Sequence, residues 1–432
     1  MYTTMNIQTV NNKRRISAGR IMGILAFAFC MCSAAAGAQN RDLCADAPEE
    51  ILSRIAAADK LVAAKKYESA FAALGGDDSE YIIFKKTELL TNCYVESVNH
   101  KTFALKDLKK NENLADLRGT PGKYKAIAYD PEDVVRKFAG EKELSPLLHL
   151  TLGHYYYDVL LLFSGCWLKS DEDLQRLALE HYTAAVDAGC YDFTYLCEYG
   201  EVLAGIGDIE GASKSFAQAL SMNPDDSRVW YNYGVTCIRL GKYEEALDAA
   251  KKADSLLGKR TKDRSAEDTG FLLAAAYSYN GDSANALKTL KALQKKYKDD
   301  PLPAFQAGTI YVESGDDKNA EKAFAEAYRR DPAGDTLGKI LQCYVSAGKD
   351  DSAVAFCTGQ LKSQAGNSYN TALLYYYQTN LYFRAGDMDA AASAMDNTEL
   401  YLLKADDSEA ARQQIAQIRE LFGLQKPAQQ SQ

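Results

Sequence analysis

Histidine, tryptophan and proline are scarce in this 432-residue chain, which has 4, 2 and 9 of them. So few prolines argue against long disordered linkers, and an apolar content of 47% with 25% charged residues is ordinary for a packed chain. The histidines, His100, His149, His154 and His181, form no His-x-x-x-His pair, and no Cys-x-x-Cys occurs. Nothing therefore suggests a zinc site. The stretch "LLGKRTK" lacks the upstream glycine of a phosphate loop, which removes support for nucleotide binding. His154 and Asp158 stand one helical turn apart and could share a proton, but no nucleophile lies beside them. A hydrogen-bonded core or groove histidine is the reading, and neither an enzyme nor a cofactor is expected.

Positive charge is also in deficit: 50 Lys and Arg face 59 Asp and Glu, for a net charge of −9. Four of the basic residues, Lys13, Arg14, Arg15 and Arg20, fall within residues 1–38, which hold no acidic residue, so without that segment the net charge is −13. Such a chain has no electrostatic reason to seek nucleic acid or anionic lipid. The one basic loop, "GKRTKDR" at 258–264, reads as a solvated surface segment.

Apolar runs are short except for "IMGILAFAFCMCS", which follows those basic residues and precedes "AAAGA" ending at Ala38. That order describes a secretory signal peptide over residues 1–38, cleaved before Gln39. The alternatives are an uncleaved anchor or a lipoprotein acylated at Cys30 or Cys32, although Phe29 and Met31 sit where a lipoprotein signal wants a small residue. The expected address is the periplasm, the envelope or the exterior, with no membrane insertion after cleavage. The run "LTLGHYYYDVLLLFSGCW" contains His154 and Asp158 and is broken by Gly153, so it reads as a buried helix and not a span.

Eight cysteines remain after cleavage. Cys237, Cys343 and Cys357 lie inside helical patterns as core thiols. An oxidising compartment permits disulfides without requiring them, and the candidate pairs are Cys44 with Cys93 and Cys190 with Cys197. What the chain has in excess is tyrosine, 28 in all, clustered in "HYYYD" and "LYYYQ". Its ring and polar tip suit half-buried or binding surfaces, with ordinary core packing as the alternative.

The organising feature is a repeat. Glycine recurs at Gly207, Gly241, Gly281, Gly315, Gly348 and Gly386, and five residues after each comes alanine, at Ala212, Ala246, Ala286, Ala320, Ala353 and Ala391. The intervals between the glycines are 34, 40, 34, 33 and 38. A glycine after a first helix lets the chain reverse in a left-handed turn. The alanine early in a second helix, with Gly200, Gly234, Ala274 and Gly308 seven residues before the turns, lets antiparallel helices approach closely.

At these residues the chain resembles the tetratricopeptide repeat family. In "YLCEYGEVLAGIGDIEGASKSFAQALSMNP" the residues Leu196, Gly200, Ala212, Phe216, Ala219 and Pro224 fall on that family's signature, as do Trp230, Gly234, Ala246 and Ala253 in the next stretch. Gly308, Tyr311, Ala320, Phe324, Ala327 and Pro332 match it again. The resemblance implies an all-α solenoid of stacked antiparallel helix pairs, with units at about 146–189, 193–226, 227–260, 267–300, 301–333, 334–367 and 372–405. Upstream, residues 39–145 read as a degenerate helical region. It holds a helix pair over Glu49 to Leu74 with Lys65 where the glycine belongs, a helix over Ser79 to Val98, an irregular connection, and a helix near Pro131 to Phe138. Residues 406–422 read as a capping helix and 423–432 as a loose tail.

The resemblance further implies a concave surface lined by the first helices that takes an extended peptide or a helix of a partner protein. Its positions correspond here to Tyr157, Tyr231, Phe271, Tyr279, Phe305, Tyr376 and Phe383, with Arg239 and Arg384 beside them. The alternative is that these rings pack between adjacent first helices. The family's clamp for a C-terminal carboxylate is absent, because Cys197, Glu201 and Asp268 occupy its places and only Asn232 fits. The expectation is a non-catalytic scaffold that binds a protein or peptide partner. The alternative is a structural module that self-associates through stack ends or its N-terminal region.

Overall fold

A computed structural model describes residues 42–118, 122, 124–258 and 264–424. Residues 1–38, where a signal peptide is expected, lie outside the described residues, as do the middle of the basic loop and most of the C-terminal tail. The chain divides into two compact units, one up to Leu272 and one from Leu273 onward.

In the first unit, α1 (Glu49–Ala63) and α2 (Tyr67–Leu74) form a hairpin that turns at Lys65, whose φ is +57°. Lys65 N–H donates to Val62 O at 2.8 Å and Lys66 N–H to Leu61 O at 2.8 Å, so the turn closes like a glycine-capped helix end. Next comes α3 (Glu80–Cys93), which ends five residues before the expected Val98. Tyr94 is extended, and residues 96–98 form β1 (Glu96–Val98), paired antiparallel to β2 (Thr102–Ala104), itself paired to β3 (Ala126–Ala128). The hairpin turns on Asn99 and His100, both at positive φ, with Lys101 N–H donating to Val98 O at 3.1 Å. The register pairs Val98 with Thr102, so the loop is three residues long and opens on two left-handed residues, a conformation that Asn and Gly adopt most readily. The expectation of helix to Val98 and of an irregular connection is therefore corrected: a small meander stands there, with α4 (Leu114–Leu117) between its second and third strands.

After α5 (Pro131–Ala139), paired helices take over. They are α6 (Pro146–Phe163) with α7 (Asp171–Asp187), α8 (Phe193–Ile206) with α9 (Ile209–Met222), and α10 (Ser227–Arg239) with α11 (Tyr243–Leu257), followed by α12 (Arg264–Tyr279). Each first helix packs on its own second helix, α7 packs on α8 and α9 on α10, while α3 packs on α6 so that the N-terminal helices share one core with the first pair. In the second unit α13 (Ser283–Lys296) leads to α14 (Leu302–Glu313) with α15 (Asp317–Arg330), then α16 (Thr336–Ser346) with α17 (Asp350–Leu361), and α18 (Ser368–Ala385) with α19 (Met388–Ala405). The last helix, α20 (Glu409–Leu421), packs on α19.

The glycine and alanine register has its physical basis in this packing. All six register glycines have positive φ, and Gly207, at +89°, caps α8 with its N–H bonded to Ala204 O. All six register alanines are completely buried. Gly200 faces Phe216, and a Cβ there would stand 2.7 Å from the ring, so the glycine is what lets α8 and α9 close. Side-chain caps fix the helix starts: Asp192 accepts from Tyr195 N–H, Asp208 from Gly211 N–H, and Asp316 from Asn319 N–H.

Candidate protein-binding face

The first helices of the first unit are tied together by buried polar side chains. Tyr157 on α6 donates to Glu201 Oε2 on α8 at 2.6 Å, and Asn232 Nδ2 on α10 donates to Glu201 Oε1 at 3.2 Å. One turn earlier, His154 Nδ1 meets Glu198 Oε2 at 2.9 Å, and Tyr182 on α7 donates to the same oxygen. Thr91 Oγ1 on α3 lies 3.1 Å from His154 Nε2, and Asp158 Oδ2 stands 3.6 Å from that nitrogen. The anticipated His154–Asp158 neighbours are thus members of a network whose principal carboxylate is Glu198.

Charge and burial set the protonation states. Burial opposes a charged imidazole at His154, but the Glu198 and Asp158 carboxylates override it and raise its pKa well above the ordinary range. Burial raises the Asp158 carboxyl to about 6, with His154 pulling the other way. Burial and then Glu198 raise the Tyr182 phenol, and burial and then Glu201 raise Tyr157, so both remain hydrogen-bond donors. His154, Asp158, Glu198, Glu201 and Tyr182 are all buried. The network holds helices in register; it presents no reactive group to a substrate.

Burial also sorts the nine positions expected to line the groove. Tyr157, Tyr231, Phe271 and Phe305 are buried. Phe305 packs on Phe324 with ring centroids 5.8 Å apart. Tyr157 reaches the adjacent first helix through Glu201, whereas Phe305 packs on its own second helix. Tyr376 is half-buried, and both it and Phe383 face Phe422, which follows α20, at 6.2 and 5.2 Å. Tyr279 is 55% exposed and Phe383 39%, while Arg239 and Arg384 are exposed. The exposed positions are thus Arg239 in the first unit and Tyr279, Phe383 and Arg384 in the second.

Among the described residues all eight cysteines are thiols, so neither Cys44–Cys93 nor Cys190–Cys197 is bridged. Burial drives the Cys44 and Cys93 thiols up to about 12, which keeps them protonated and unreactive. Among the same residues no cluster of His, Cys, Asp and Glu could hold a metal ion, and no helix is long and apolar enough to cross a membrane.

Sequence reading missed the Glu198–Tyr182 and Glu201–Asn232 partnerships, which join residues 16 and 31 positions apart. The available signal was Glu198 and Glu201 standing one turn apart on an otherwise apolar helix.

Antiparallel helix pairs in a fixed glycine–alanine register define a helical-repeat scaffold. Residues 197–259 and 271–358 match the family model of the tetratricopeptide repeat, so this part of the chain carries tetratricopeptide repeats. The fold of this family is a protein-interaction scaffold and typically non-catalytic. Among solved structures it is similar to a tetratricopeptide repeat protein from Parabacteroides merdae, with 16% identity over 64% of this chain and 98% of that one and a TM-score of 0.40. It is also similar to MamA from Desulfovibrio magneticus RS-1, with 17% identity, 43% and 97% coverage and a TM-score of 0.37. A third is YrrB, described as a TPR protein with an unusual peptide-binding site, with 17% identity, 54% and 96% coverage and a TM-score of 0.30. No curated protein sequence matches the chain.

Proposed function

We propose that this protein is a non-catalytic scaffold that works in the cell envelope or outside the cell and holds a segment of a partner protein on the first-helix face of its repeats. The export half of the reading rests on residues 1–38, with their basic, apolar and Ala-Gly-Ala order. The binding half rests on one observation: Tyr279 is a large aromatic side chain at a groove position that stays more than half exposed. A tyrosine of that kind gives large contact area at low entropic cost.

The test places a photo-crosslinking side chain at position 279 and, as a control, at Lys362, exposed after a second helix. In native envelopes, position 279 should yield one discrete adduct and position 362 none. The mature chain should begin at Gln39. An intact N-terminus in the cytoplasm would remove the export half; equal adducts at both positions would remove the binding half.

Self-association is the second reading, and one observation favours it. The β1–β2 turn meets the end of α6, where His100 lies 4.5 Å from Phe163 and Phe163 lies 5.9 Å from Trp167. Around that corner Val98, Leu162 and Leu168 are exposed, Leu168 by 85%. Under this reading the sedimentation coefficient rises with concentration, and Leu168→Ser abolishes the rise.

A further inference from the structure

The second unit carries an open cleft of about 570 Å³ on the second-helix side, between α13 and α15 with α14 as its floor. Lys288 and Lys291, one turn apart, stand on the α13 wall and Lys322 on the α15 wall. All three are exposed, and among the described residues none has an acidic partner. The one carboxylate in the cleft, Glu326, is already engaged: Arg329 and Arg330 each bond it at 2.8 to 2.9 Å. Those arginines hold its pKa down at about 2, so it stays a satisfied anion. The floor is apolar and shallow, made by Ala307 and the ring of Tyr311.

Three uncompensated ammonium groups around an apolar floor stand out in a chain of net charge −9. We propose that this cleft binds an acidic segment of a partner protein, one apolar side chain resting on Ala307 and Tyr311 and flanking carboxylates meeting Lys288, Lys291 and Lys322. A short acidic peptide brings few charges and suits this setting. A nucleic acid would bring many phosphates to a protein that is negative overall. The cleft lies on second helices, so the proposal stands independently of any partner on the first-helix face.

The probe is a fluorescent peptide with a central leucine flanked on each side by two glutamates, titrated into the full mature chain. Binding should weaken as salt rises and vanish for the glutamine version of the peptide. Lys288→Ala, Lys291→Ala and Lys322→Ala together should weaken it about tenfold or more, with the melting temperature unchanged. The control triple Lys295→Ala, Lys298→Ala and Lys362→Ala, also exposed, should leave it unchanged. Reversing the cleft with Lys288→Glu, Lys291→Glu and Lys322→Glu should transfer binding to the lysine version of the peptide. No binding of the acidic probe, equal losses in both triples, or equally strong competition by a single-stranded oligonucleotide would overturn the proposal.

Discussion

The two units build the same helix pairs around different interiors. Up to Leu272, the space between first helices is filled by titratable side chains: His154, Asp158, Glu198 and Glu201, with Tyr157 and Tyr182 donating to the two glutamates. From Leu273 on, the buried core of α14 to α18 is a run of rings and aliphatics, with Phe324 5.2 Å from Tyr344 and Phe356 6.3 Å from Tyr328. Among the described residues, the second unit's buried polar side chains are uncharged apart from Arg419. The glycine and alanine framework thus fixes how far apart the helices stand and leaves open what fills the gap. A charged filling specifies which helix faces which, because each member needs its partner; an apolar filling contributes stability without that selectivity.

The sharpest way to test this contrast is to damage each interior once. Glu198→Ala leaves His154 and Tyr182 buried without their acceptor, and it should destabilise the first unit by about 3–5 kcal/mol. Phe324→Ala removes a fully buried ring from the second unit, and it should cost a similar amount, about 3–5 kcal/mol. Hydrogen exchange read peptide by peptide should place the first loss within α3, α6, α7 and α8 and the second within α14 to α17. If either variant loosened both units equally, the interiors would not be separate.

A smaller difference should appear with pH, and between pH 4.5 and 9 it should be confined to the first unit, because Glu326 and Cys357 in the second are shifted to about 2 and about 12 and change its stability only outside that window. His154 has a raised folded pKa, so its stabilisation is fully present below the ordinary imidazole value of 6.5 and is lost as pH rises through the folded one. His100 and His181 go the other way: burial lowers them to about 3 and about 4, so the stability they confer is present above 6.5 and lost as pH falls through those values. Asp158, raised to about 6, contributes stability that is complete below 3.8 and lost as pH rises through 6, which partly offsets the acid loss. Exchange protection in α3 and α6 should therefore be greatest near neutral pH and fall on both sides. His100→Phe should blunt the acid limb, since both ring nitrogens of His100 are buried without hydrogen-bond partners among Tyr94, Phe103 and Phe163. A flat pH profile in these helices, or a matching one in the second unit, would contradict the assignment.

What was legible in the sequence follows from what each feature requires. A positive-φ turn and a close helix crossing each demand one residue type at one offset, so Gly207 and Ala212 betray the fold by themselves. The network demands only that partners meet in space, and the separation of 44 positions from His154 to Glu198 carries no periodic mark. The meander escaped because its turn uses Asn99 and His100 where Asn-Gly would have announced it. The burial of the groove rings was not legible because position on a first helix tells which way a side chain points. It does not tell whether a neighbouring helix seals it, as at Tyr231 and Phe305.

The smallest effect lies at Lys65, where the first helix pair departs from the register. Every register turn uses glycine, but here a lysine is held at φ +57°, a conformation that costs an L-residue about 1–2 kcal/mol. Lys65→Gly relieves that strain and gives back part of the gain, because glycine adds entropy to the unfolded chain by about 0.5–1 kcal/mol. Lys65 is exposed and forms no ion pair among the described residues, so nothing else is lost on substitution. The first unit should become more stable by less than about 1 kcal/mol, seen as slower exchange across α1 and α2 with no change from Leu273 onward. Lys65→Ala separates the two contributions, since it keeps the Cβ that causes the strain and should leave protection near the parent value. If Lys65→Gly weakened α1 and α2, the turn would depend on the lysine side chain, and its kinship with the repeat turns would fail.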